Sequence, residues 1–106
     1  MNPRIRTILA ELRKRFEALY GDRLVKLILY GSQARGDADA DSDIDVLVVL
    51  KGDVIPEQEI EFTGDIVSEV SLLHQTVVSC VFVSEERYRS EWTPLLSNVR
   101  REGLPV

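Results

Sequence analysis

The chain has 106 residues, 44% of them hydrophobic, one cysteine and a formal net charge of −5. That length suits a single domain spanning 1–106, and the apolar fraction supports a core of modest size. The negative charge argues against sequence-independent binding of duplex DNA, a lone Cys80 excludes an internal disulfide, and no segment approaches the ~20 apolar residues of a membrane span.

The N-terminal stretch is Arg-rich, but it has no apolar targeting core, and Glu11 and Glu17 interrupt its charge. It reads as the first helix of a protein of the reducing cytoplasm. Asn2 is placed to cap it, Pro3 fits its first turn and Gly21 fits the position past its end. Ile5, Ile8, Leu9, Leu12, Phe16 and Leu19 recur at helical spacing and form its apolar stripe. Arg4, Arg6, Arg13, Lys14 and Arg15 fall mostly off that stripe, as a solvated face or a surface for an acidic partner or RNA.

"LVKLILY" (24–30) and "IDVLVVL" (44–50) read as strands. Neither alternates cleanly between apolar and polar residues, which predicts burial on both faces. Gly52, Asp53 and Pro56 mark a turn. A second long helix follows, roughly 57–74, with Phe62, Ile66, Val70 and Leu73 expected on its buried side. His74, the single histidine, falls near its end and reads as a surface or capping residue. "TVVSCVFV" (76–83) is a third strand, in which Cys80 reads as a small buried hydrophobe. Ser84 caps a short helix, Thr93-Pro94 starts a last one, and Arg100, Arg101 and Gly103 end it. The expected architecture is α/β, with a small mixed sheet of three or more strands and helices largely on one face.

Between the first two strands, Asp37, Asp39, Asp41, Asp43 and Asp45 occupy alternate positions. The opening spacing suits an EF-hand loop, but Ser42 and Val48 stand where glycine and the closing carboxylate are needed. Gly31 and Gly36 have Walker spacing, but Asp37 and Ala38 replace the lysine and hydroxyl. A third reading remains. Asp43 and Asp45 stand at the start of a buried strand, two apart and so on one face, with Cα atoms about 6.5–7 Å apart. Two charged carboxylates beside "VLVVL" are costly unless paired. Mg²⁺ relieves that cost, since it takes one or two carboxylates together with substrate phosphates. Gly31 and Ser32, at the end of the preceding strand, let backbone N–H groups approach a phosphate. Asp37, Asp39 and Asp41 read as solvated loop charges.

The stretch "GSQARGDADADSDID" resembles the signature of the minimal nucleotidyltransferases of the DNA polymerase beta-like superfamily. That signature is Gly-Ser, ten residues, then Asp-x-Asp. It is met here by Gly31-Ser32 and Asp43-Ile44-Asp45, with "ARG" and "SDID" in the family's common form. More weakly, the leading helix, the length and the ending "LLSNVRREGLPV" are similar to small stand-alone bacterial and archaeal members. The resemblance implies the nucleotidyltransferase fold and a two-metal transfer. Asp43 and Asp45 hold Mg²⁺ (or Mn²⁺) against a nucleoside triphosphate, ATP by expectation. Gly31 and Ser32 hold its outer phosphates, and Arg35 adds charge stabilisation.

The resemblance also implies a HEPN-type partner, a toxin to which such an antitoxin transfers AMP or which it merely binds. With no second domain to hold an acceptor, the acceptor is expected on another chain, in a hetero- or homo-oligomer. Tyr88, Trp92, Leu95 and Leu96 either cover the sheet as ordinary core, or part of their region, with the basic face of the first helix, docks a second protein or another copy of this chain. Direct nucleic-acid binding is not expected. Two departures stand out. Gln33 replaces a common arginine, and "TVVSCVFV" lacks the third carboxylate that active members usually bring from a neighbouring strand, Ser79 being its only polar residue within the apolar run. Two readings follow: an enzyme that modifies its partner, or a catalytically impaired antitoxin that neutralises it by contact alone.

Overall fold

Asn2 accepts the Arg4 N–H on its side chain at 2.8 Å, and Pro3 follows with no N–H to satisfy, so α1 (Pro3–Tyr20) starts where its sequence provides a cap. It ends at Gly21, whose φ of 56° suits a residue without a Cβ. The computed structural model describes residues 2–39 and 42–106. After α1 come β1 (Leu24–Tyr30), α2 (Ser32–Arg35), β2 (Ile44–Leu50), α3 (Pro56–His74), β3 (Val78–Ser84), α4 (Glu85–Ser90), α5 (Pro94–Glu102) and β4 (Leu104–Pro105).

The strands form one mixed sheet in the order β3-β2-β1-β4. β2 runs antiparallel to β1 and parallel to β3, and β4 adds a short antiparallel edge to β1. Alternation along the strands feeds two cores. Leu27, Leu29, Ile44, Val46, Val48 and Leu50 pack against Ile8, Leu12 and Phe16 of α1 and Val70 of α3. Ile28, Leu47, Val49 and Val83 pack against Leu96 and Val99 of α5, with Tyr88 of α4 at the margin. The central strand β2 is therefore covered on both faces, each fully buried aliphatic side chain stabilising the fold by about 1.5–3 kcal/mol. The mixed sheet and the flanking helices are as expected. The distribution of helices is not: the two long ones share a face, while α4 and α5 cover the other. Thr93 and Ser84 cap those two by accepting the N–H groups of Leu96 and Arg87.

A second correction concerns α3. Phe62 and Leu73 are more than half exposed, and Ile66 is half-buried; only Val70 of the expected stripe is fully buried. The inward positions are instead Glu59 and Thr63. Glu59 is acceptable inside because it is satisfied there. Its carboxylate accepts from the Tyr20 hydroxyl at 2.8 Å and from both terminal nitrogens of Arg23, at 3.2 and 2.8 Å. Burial and the Glu59 carboxylate push the Tyr20 hydroxyl well above the usual phenol range. His74 closes the other end of α3, its Nε2 2.6 Å from Glu11 of α1. The bases of α1 are largely engaged: Arg4 donates to the His74 carbonyl, Arg13 pairs with Glu17 and Arg15 with Glu69.

Cys80 is half-buried, and burial pushes its thiol up to about 12, which suits a packing residue rather than a nucleophile. No helix among the described residues is long and apolar enough to cross a membrane.

Candidate functional site

The site lies where β1 ends and β2 begins. Tyr30 is the last residue of β1 and pairs in register with Asp45, so Gly31 is carried directly past the Asp45 side chain. A Cβ on Gly31 would lie 2.5 Å from Asp45 Oδ2, and Gly31 holds φ at 76°. Close approach and backbone angle both demand glycine there. Ser32 opens α2 and is half-buried; its carbonyl accepts from Gly36 and Asp37 N–H groups. That short helix turns the chain from the sheet into the acidic loop. Gly36, at φ 83°, ends it.

The loop is stitched back to the fold. Gln33 Nε2 donates to the Ser42 carbonyl at 3.3 Å, and the Ser42 hydroxyl accepts the Asp39 N–H at 2.9 Å. Gln33 thus steadies the residue just before Asp43. Asp43 is exposed and lies one position ahead of β2; Asp45 lies within it and is half-buried. Asp45 is the only residue of β2 that is not fully buried. Burial, and then the neighbouring Asp43 charge, raise the Asp45 carboxyl above its ordinary value, while Arg35 pulls it partly back. Burial and the same Asp45 charge push the Tyr30 hydroxyl upward.

Arg35 is ion-paired on two sides. Its Nε donates to Asp37 Oδ2 at 3.1 Å, and its Nη1 lies 3.2 Å from both oxygens of Glu102. Asp37 is therefore a partner of Arg35 rather than merely a solvated charge, whereas Asp39 is exposed. Asp41 lies outside the described residues. Glu102, from the end of α5, also accepts the Gly31 N–H at 3.2 Å. Sequence reasoning missed it, because nothing local in "VRREG" points to a partner 71 positions earlier.

β3 supplies the third side. Ser79 pairs with Asp45 in the parallel register and so stands beside it on the same face. A hydroxyl occupies that place. Among the described residues no cluster of three or more carboxylates, histidines or cysteines is placed to hold a metal ion. The donor set is thus two carboxylates whose mutual repulsion a cation would relieve, beside a glycine whose missing Cβ makes room for the Asp45 carboxylate. This fits a divalent ion completed by substrate oxygens, not one caged by protein alone.

Comparisons with known proteins identify the family of the chain. The nucleotidyltransferase domain family matches residues 9–103. A provisionally named protein adenylyltransferase of Methanocaldococcus jannaschii is 36% identical over 99 residues, covering 93% of this chain and 95% of its own. The fold is similar to that of a chain in a toxin–antitoxin crystal structure with AMP-PNP, at a TM-score of 0.64 and 20% identity over 93% of this chain and 69% of that one. It is also similar to a chain in the complex of a tri-AMPylated Shewanella oneidensis HEPN toxin with its MNT antitoxin. There the TM-score is 0.55 and the identity 19%, over 92% and 70% of the two chains.

Proposed function

Because the chain belongs to the nucleotidyltransferase domain family, we propose that it transfers AMP from ATP to a side chain of a HEPN-type partner protein, acting as the antitoxin of a toxin–antitoxin pair. The observation that carries this reading is Asp45, a carboxylate whose charge is resisted by burial and by Asp43, packed against a glycine where any side chain would be strained. Such an arrangement has a purpose if a cation and a phosphate belong there.

Asp43 and Asp45 would hold Mg²⁺, or Mn²⁺ in its place. When bound, the ion neutralises phosphate charge and makes the acceptor hydroxyl easier to deprotonate. The acceptor oxygen attacks the α-phosphorus, the bond to the bridging oxygen breaks and pyrophosphate leaves. Gly31 and Ser32 would seat the outer phosphates, and Arg35 would offset their charge. Gln33 keeps the loop ahead of Asp43 in place. The toxin–antitoxin likenesses support the HEPN partner and the nucleotide, and the adenylyltransferase relative supports AMP as the group moved.

The test mixes this protein, Mg²⁺ and labelled ATP with the product of its neighbouring gene, the candidate HEPN-type partner. Label should appear on the partner. Asp43→Asn and Asp45→Asn should each reduce transfer by at least about 100-fold, the scale of losing a main electrostatic contact in a transition state. Equal labelling by all three chains would remove the acid pair from the reaction.

A second reading rests on Ser79. With a hydroxyl beside Asp45 in the place of a third carboxylate, the chain would neutralise its partner by binding alone. That reading expects a stable complex, suppressed toxin activity and no label.

A further inference from the structure

Glu102 stands on two of the three groups that the proposed function assigns to phosphate. Its Oε1 takes the Gly31 N–H at 3.2 Å, and its two oxygens share Arg35 Nη1 at 3.2 Å each. A carboxylate held by a backbone N–H and a guanidinium reproduces the contacts of a phosphate oxygen.

The placement is built into the fold. Glu102 is the last residue of α5, and its side chain is only 14% exposed. Gly103 follows, so tightly packed that a Cβ would lie 2.4 Å from the Val99 carbonyl and 2.6 Å from Ile28 Cγ2. Leu104 then pairs with Leu29 in β4. The helix end and the strand together fix where the Glu102 backbone lies against β1. Only the side chain is free to leave.

We infer that Glu102 is a positioning residue that fills the phosphate seat on Gly31 and Arg35, and that the triphosphate displaces it. This rests on the reading of Gly31 and Arg35 given above. One N–H cannot serve two acceptors well, and a carboxylate left in place would face a triphosphate of like charge. Nucleotide binding therefore includes the cost of lifting Glu102 away, and that cost lowers the affinity of the resting chain. In exchange, Arg35 is held extended toward the site while no nucleotide is there.

The experiment is calorimetric titration of the full chain with Mg²⁺–ATP and with Mg²⁺–tripolyphosphate, for wild type, Glu102→Gln and Glu102→Asp. Glu102→Gln keeps the shape and removes the charge. It should bind both probes roughly tenfold more tightly, the size of one charge-assisted contact removed from the competition. Unchanged or weaker binding by a folded Glu102→Gln chain would overturn the inference and make Glu102 a fixed support for Arg35.

A measurement on the wild type does not depend on how the variants fold. The side-chain carboxyl carbon of Glu102, followed by NMR, should move to the position of a solvated glutamate as Mg²⁺–ATP saturates. A resonance that stays in place through saturation overturns the displacement. Wild-type binding that survives Asp45→Asn would instead count against the proposed function, whatever Glu102 does. No binding by wild type or by Glu102→Gln would overturn both.

Discussion

Asp45 sits where burial and the Asp43 charge both resist its ionisation. The folded chain therefore holds its proton more tightly than the unfolded chain does. Below the ordinary aspartate value of 3.8 both states are protonated and no penalty exists. As pH rises through that value and on through the raised folded value, stability is progressively lost. Asp45→Asn should thus raise the melting temperature of the metal-free protein at pH 7. The gain should shrink as pH falls toward the ordinary value, which thermal unfolding across a pH series will show. Mg²⁺ should raise the melting temperature of wild type and leave Asp45→Asn unmoved. Ser79 offers the converse change. Beside Asp45 in register, Ser79→Asp would complete a three-carboxylate set, tightening Mn²⁺ binding roughly tenfold, about 1.4 kcal/mol, while lowering the stability of the metal-free chain. Calorimetric titration and thermal unfolding of the same sample check both halves.

The elements were legible where local pattern decides them. The bounds of β1 and β2 follow from two apolar runs separated by a polar loop, and the caps at Asn2, Ser84 and Thr93 follow from short polar residues ahead of helices. The close approach of Gly31 to Asp45 was legible for a related reason, since one hairpin of fixed spacing brings them together. The inward face of α3 was not legible. Its apolar stripe points to Phe62 and Leu73, but the helix is turned so that Glu59 meets Tyr20 and Arg23, partners 39 and 36 positions away. β4 was missed because two residues carry no period, and Glu102 because its partners are remote in sequence. Glu59→Ala should cost about 1.5–3 kcal/mol, the range for hydrogen bonds to a charged group, since Arg23 keeps partial access to water. Leu73→Ser, at a position 69% exposed, should stay within about 0.5 kcal/mol of wild type. Urea unfolding separates the two.

At the scale of the molecule, the sheet divides two tasks. The face under α1 and α3 is the larger apolar core, whereas the face under α4 and α5 carries Asp45 and ends at Glu102. Trp92 belongs to the rim of that second face. It was a candidate for either core or docking, and it is 71% exposed, with the Arg100 guanidinium 4.3 Å from its ring centre. Trp92→Ala should therefore cost less than about 1 kcal/mol, the worth of an exposed cation–π contact. Chemical denaturation of the isolated chain measures this, and a loss of several kcal/mol would return Trp92 to the core. Co-purification of the same variant with the proposed HEPN-type partner reports separately on docking.

The parallel pairing of β2 with β3 has a consequence in time. β1 and β2 are joined by residues 31–43 and meet as a hairpin, but β3 reaches β2 only after the whole of α3 has been laid across. Contacts between distant segments close late, because chain entropy must be overcome before they form. In a growing chain residues 24–50 precede Ser79 and Glu102, so the pair of aspartates is made before either of them. The nascent chain would then hold an open acidic corner, with neither its hydroxyl neighbour nor the carboxylate that later occupies Gly31 and Arg35.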